Sequence, residues 1–137
     1  MTDATDWSDD ETVTQLRQLF ETAKTLDGGI EFMNVEFGET APTYQFMNGW
    51  HNVTGMDGEM AASMDDLIER HGLDVIHEQQ TTSGSSIAVA QGEAASVEET
   101  YAVFAEICEE VYDCAPAEAI DGYINPVEGS AISWRDV

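Results

Sequence analysis

Basic side chains are almost missing from this chain. One Lys (Lys24) and three Arg (Arg17, Arg70, Arg135) stand against 28 Asp and Glu in 137 residues, a formal charge of −24. The four are scattered, so no basic patch exists to neutralise phosphates, and direct recognition of DNA or RNA is excluded. Binding to anionic membrane surfaces falls by the same argument. Long apolar runs are missing too: no stretch approaches the ~20 residues that a membrane span requires. Residues 1–11 are polar and acidic, without the apolar segment of a signal peptide. The expectation is a soluble protein made in the cytoplasm. Cysteine is limited to Cys108 and Cys114, which lack the C-x-x-C spacing and the further ligands of a zinc site. Both are expected as reduced thiols, with Cys108 a small buried hydrophobe on the apolar face of a helix. Only Pro42, Pro116 and Pro126 punctuate the chain, all at expected loops or element ends, and no repeat or linker divides it.

What is present is enough apolar sequence to fold. Hydrophobic residues make up 42% of the chain and fall in periodic runs, so the disorder that this charge would otherwise imply is not expected. A compact domain carrying −24 repels itself in dilute buffer. At molar salt the Debye length contracts to roughly 3 Å and most of that repulsion is screened. The composition therefore points to a salt-saturated medium, in or around an extreme halophile. The length suits one domain, residues 1–137, with an acidic arm at 1–8 and a C-terminal segment at 121–137.

Ser8 and Glu11 form a capping-box pattern ahead of Val13, Leu16, Phe20 and Ala23, which recur at helical spacing until Asp27, Gly28 and Gly29. Residues 30–37 and 43–50 read as strands and 51–58 as a loop. Met60, Met64, Leu67 and Ile68 lie on one helix face, ended at His71 and Gly72. Residues 73–81 and 85–91 read as a hairpin. Ser96 and Glu99 make a second capping box before the stripe Val97, Tyr101, Phe104, Cys108 and Val111. Residues 131–134 read as a short edge strand. The order α-β-β-α-β-β-α-β predicts an α+β two-layer sandwich, a mainly antiparallel sheet with helices on one face. From residue 43 onward the order βαββαβ also permits a ferredoxin-like sheet.

Few residues carry recognisable chemistry. His71 ends a helix, where it favours the dipole. His77 and Glu78 are adjacent in a strand and point to opposite faces, so they form no dyad. His51 follows Trp50 in the expected loop 48–52, where the pair could line a pocket or meet a partner. The run Ser83, Gly84, Ser85, Ser86 joins two strands and lacks a Lys, so it reads as a hairpin turn rather than a phosphate cradle. Asp57-Gly58-Glu59 and Asp65-Asp66 do not follow calcium-loop spacing and read as a solvated acidic face. Met47, Met56, Met60 and Met64 read mainly as core. Trp7 is expected to staple the first helix, whereas Trp50 and Trp134 are the candidate interface anchors. No catalytic constellation, metal set or cofactor fingerprint emerges, so none is expected.

The strand 85–91 leading into the amphipathic helix 97–112, with the helix 12–26 and strands 30–37 and 43–50 before them, resembles the tail-terminator and tail-completion proteins of tailed viruses. The likeness is in the order of elements over roughly residues 10–114. The helix 60–71 between the hairpins is a departure. The resemblance implies a ring-forming subunit at a head–tail junction. The leading expectation is thus a non-enzymatic subunit of a larger assembly in high salt, a homo-oligomer or one partner among several, in a virus particle of a haloarchaeon. The alternatives are a cytoplasmic small-ligand-binding or regulatory domain and, last, an enzyme.

Overall fold

A computed structural model describes residues 9–26, 28–47, 49–82, 84–92 and 95–137. Helix α1 (Asp9–Thr25) is followed by strands β1 (Ile30–Glu36), β2 (Tyr44–Met47) and β3 (Trp50–Met56). Next come helix α2 (Gly58–His71), strands β4 (Asp74–Thr81) and β5 (Gly84–Ala90) and helix α3 (Val97–Glu106). Strands β6 (Asp121–Pro126) and β7 (Ile132–Ser133) close the chain. The strands form one antiparallel sheet in the order β4-β5-β3-β2-β1-β6-β7. The expected α+β sandwich, with helices layered on one face of an antiparallel sheet, is the observed architecture.

Local sequence explains the helices. Asp57 caps α2 by accepting from the Met60 amide at 2.9 Å, and Gly72 ends it in the left-handed region at φ 64°. Asp57, read from the sequence as part of a solvated acidic face, is thus a helix cap. The capping box at α3 is formed as expected: the Ser96 hydroxyl accepts from the Glu99 amide and the Glu99 carboxylate accepts from the Ser96 amide. The Ser8 cap, the Trp7 staple and Asp27 lie outside the described residues. α3 gives way to a π-helical turn, Ile107–Val111, which keeps Cys108 and Val111 buried.

Three expectations about the strands are corrected. The segment 43–50 is not one strand followed by a loop. The chain reverses between Met47 and Trp50, which pair opposite each other, and runs back as β3 to Met56. Gly49 supplies the positive φ (83°) that such a tight turn needs. The tail holds two strands, with β6 paired to β1 along its whole length. Trp134 is not in an edge strand but in the short 3-10 turn Trp134–Asp136 after β7. The connectivity β3-α2-β4-β5-α3-β6 matches βαββαβ, yet the hairpin β1–β2 sits between β3 and β6. The ferredoxin-like sheet, which would join those two strands directly, is not formed.

The core lies between the inner sheet face and the helices. Leu16, Leu19 and Phe20 of α1 meet Met33, Val35, Tyr44 and Phe46 of the sheet and Phe104 of α3, all buried. Phe20 packs its ring against Phe46 at 5.4 Å and Phe104 at 5.2 Å. Each such side chain contributes roughly 1.5–3 kcal/mol through removal from water.

Candidate functional site

His51 was the most reactive group expected near a pocket, and the structure places it elsewhere. It lies on β3 opposite Phe46 and Val89, facing the helices, and is completely buried. The Gln91 side-chain oxygen can only accept, so His51 Nε2 carries the proton and donates to it at 2.9 Å. Nδ1 then accepts from the Tyr44 hydroxyl at 2.5 Å. Both ring nitrogens are satisfied by a neutral imidazole, as a buried polar group requires. Burial pushes its pKa from 6.5 down to about 4, a shift opposed by the Gln91 hydrogen bond and assisted by His71. Burial likewise pushes the Tyr44 hydroxyl well above its ordinary value. His51 is a core residue, not a loop contact, and the loop reading is corrected on that ground.

Trp50, one residue earlier, projects from the opposite face of the sheet and is half-buried. Among the described residues that outer face carries no helix layer, and its centre has an unusual composition for this chain. Tyr123, Asn34, Gln45 and Asn52 form one hydrogen-bonded row across β6, β1, β2 and β3. Asn34 Nδ2 donates to the Tyr123 hydroxyl at 2.9 Å, Gln45 Nε2 to Asn34 Oδ1 at 3.1 Å, and Asn52 Nδ2 to Gln45 Oε1 at 3.1 Å. Ala88 of β5, opposite Asn52, extends the row. Phe32, edge-on to Tyr123 at 6.4 Å, and the cross-strand pair Met47 and Trp50 line the same side of it, as the β1–β2 register requires. The whole strip is amide, alanine, Met and aromatic, without a charged side chain. Acids sit only at its margins, with Glu36 opposite Asp121 and Asp74 opposite Ala90.

Trp134, the other candidate anchor, is 2% exposed. Its ring packs over Gly122 of β6 beside Leu19: a Cβ at Gly122 would come within 3.1 Å of Leu19 Cδ2 and 3.3 Å of Trp134 Cε3. The indole belongs to the protein's own core, so it is not the exposed edge anchor that the sequence suggested. His71 does more than end α2. With Arg70 it reaches the α3 side: Arg70 pairs with Glu106 at 2.8 Å and Glu110 at 2.5 Å, and His71 also meets Glu106. His77 pairs with Ala88 and lies exposed on the outer side, whereas Glu78 faces the helix side opposite Ile87, as strand alternation requires. Cys108 and Cys114 are buried free thiols. A hydrogen bond to the Cys114 sulfur, reinforced by burial, pushes the Cys108 thiol up. Among the described residues no group of three His, Cys, Asp or Glu side chains converges as a metal site. No described helix is long and apolar enough to cross a membrane.

A cavity of about 270 Å³ opens between α2 and the β4–β5 hairpin. Met56, Met64 and Ile87 give it an apolar floor, and Asp65, Glu78 and Gln80 stand at its rim. Sequence reasoning sets Asp65 aside as part of a solvated acidic face and Glu78 as a strand residue pointing away from His77. Nothing local distinguishes them; the hairpin and α2 bring them to one opening.

No family model, curated protein or solved structure matches this chain.

Proposed function

We propose that the protein is a non-enzymatic subunit that assembles with further copies of itself through the outer face of its sheet, in a high-salt medium. One observation carries this reading: the uncharged strip from Tyr123 to Ala88 on a chain with 28 acidic residues. Elsewhere the approach of two copies brings carboxylates together. On this strip a second copy meets amides, methyls and half-buried rings, which associate without electrostatic repulsion. In molar salt long-range attraction is screened, so apolar and hydrogen-bonded contact of this kind is what remains for holding subunits together. Trp50 is the anchor, large and half-buried beside the strip.

The non-enzymatic part draws on His51, whose two nitrogens are both occupied in the core. A place at the head–tail junction of a haloarchaeal virus rests on the order of elements alone. The small-ligand alternative has the cavity beneath α2 in its favour, not the region around His51.

The test is light scattering in multimolar KCl on the wild type and on Trp50→Glu, with circular dichroism to check the fold. The wild type is expected above the 15.0 kDa monomer mass and the variant at it, with secondary structure unchanged. A strictly monomeric wild type, or an assembly indifferent to the new charge, defeats the proposal.

A further inference from the structure

The uncharged strip stops at β5, and β4 beyond it ends the sheet. Every residue from Asp74 to Gln80 is exposed, and Val75 and Ile76 are half-exposed at 50% and 52%. Edge strands in stable proteins are usually short, covered, or guarded by Lys or Pro. β4 has eight residues and neither guard. Its one interruption is a bulge between Val75 and His77, which leaves His77–Thr81 in regular register with β5. The cavity beneath α2 is built on that regular stretch, since Glu78, Gln79 and Gln80 all line it.

We propose that the β4 edge accepts an extended segment of a different protein as an added strand, and that the cavity takes one Lys or Arg side chain of that segment. In strand addition, main-chain hydrogen bonds supply affinity and pockets for alternate side chains supply selectivity. A strand beside β4 directs every second side chain to the helix side of the sheet, where Glu78 and Gln80 face the cavity. The lining selects the chemistry. Met56, Met64 and Ile87 suit an aliphatic stem, Asp65 and Glu78 suit a cationic head, and no basic residue lines the opening. The four basic residues of this chain sit in helices α1 and α2 and in the C-terminal 3-10 turn, not in an extended segment, so a second copy does not supply the occupant.

The probes are fluorescein-labelled nine-residue peptides of alternating Thr and Val with a central Arg or, in its place, Met. Binding is followed by fluorescence anisotropy in multimolar KCl. The Arg peptide is expected to bind roughly tenfold more tightly than the Met peptide, about 1.4 kcal/mol. The double variant Asp65→Asn/Glu78→Gln removes that preference, and N-methylation of alternate peptide amides abolishes binding of both peptides. Trp50→Glu leaves the peptide affinities unchanged, which separates this site from the self-association face. The proposal is overturned if the Arg peptide does not bind at millimolar concentration. Equal binding of the two peptides, or an Arg preference that survives in the double variant, overturns it as well.

Discussion

Acidification should unfold this protein through His51, and the size of the effect follows from its burial. In the unfolded chain His51 takes up a proton near pH 6.5. In the folded protein it does so only near about 4, because burial disfavours the charged ring more than the Gln91 hydrogen bond favours it. Above pH 6.5 both states hold neutral imidazole and stability is at its full value. Between those two pH values the unfolded state binds the extra proton, so stability falls as the pH falls, and the loss is complete near pH 4. The gap corresponds to roughly 3 kcal/mol for one proton, a large part of the ~5–15 kcal/mol that holds a typical domain together. An opposing effect exists, since acid also neutralises carboxylates in a chain of net charge −24. Multimolar KCl suppresses that repulsion, and a His51→Gln variant serves as the internal reference. Urea unfolding at pH 8, 6, 5 and 4 gives the assay. The variant is less stable at pH 8, because ring packing against Phe46 at 5.3 Å is lost and the Tyr44–Gln91 link is remade poorly. Its stability should nevertheless decline less steeply with acid, by roughly 3 kcal/mol over the range. Parallel curves for the two proteins refute the account of His51 as a buried neutral base.

Thermal melts by circular dichroism should give a lower midpoint in dilute buffer than in multimolar KCl, and equal midpoints would remove the halophilic reading. Trp134→Ala should cost about 3–5 kcal/mol in urea unfolding, since it empties a core site beside Gly122 and Leu19 rather than trimming a surface. Gly84→Ala should also be strongly destabilising, because at φ 130° its Cβ would lie 2.6 Å from the Met56 carbonyl oxygen; an unchanged unfolding midpoint would show that the β3–β5 approach relaxes freely. Ser96→Ala should lower stability by about 1 kcal/mol through loss of the α3 cap, measured in the same way.

Much of this fold was legible where the signal is local. The Ser96 cap, the stop at Gly72 and the stripes Met60 to Ile68 and Val97 to Val111 are set by neighbours within a few residues, so α2 and α3 could be read directly, although the Asp57 cap of α2 was not among the expectations. The hairpin β2–β3 carries an equally local signal in Asn48-Gly49, flanked by alternating side chains, which the expectation of a loop over 51–58 leaves unused. β6 was missed for a different reason. Tyr123 and Ile124 offer little periodicity alone, and the strand exists because β1 presents a complementary edge.

The sequence by itself determined the charge, the three helices and the α+β class, because these depend on composition or on contacts within one or two turns. Tertiary structure alone decided where each candidate residue points. Trp50 and His51 are adjacent, yet the two-residue period of β3 sends one to the open face and the other into the core. Trp134 looked like an exposed edge anchor until Leu19 and Gly122, distant in sequence, closed around it. The uncharged strip and the acidic cavity are likewise products of pairing register and helix placement. Each gathers residues from three or more elements, and no sequence window contains them together.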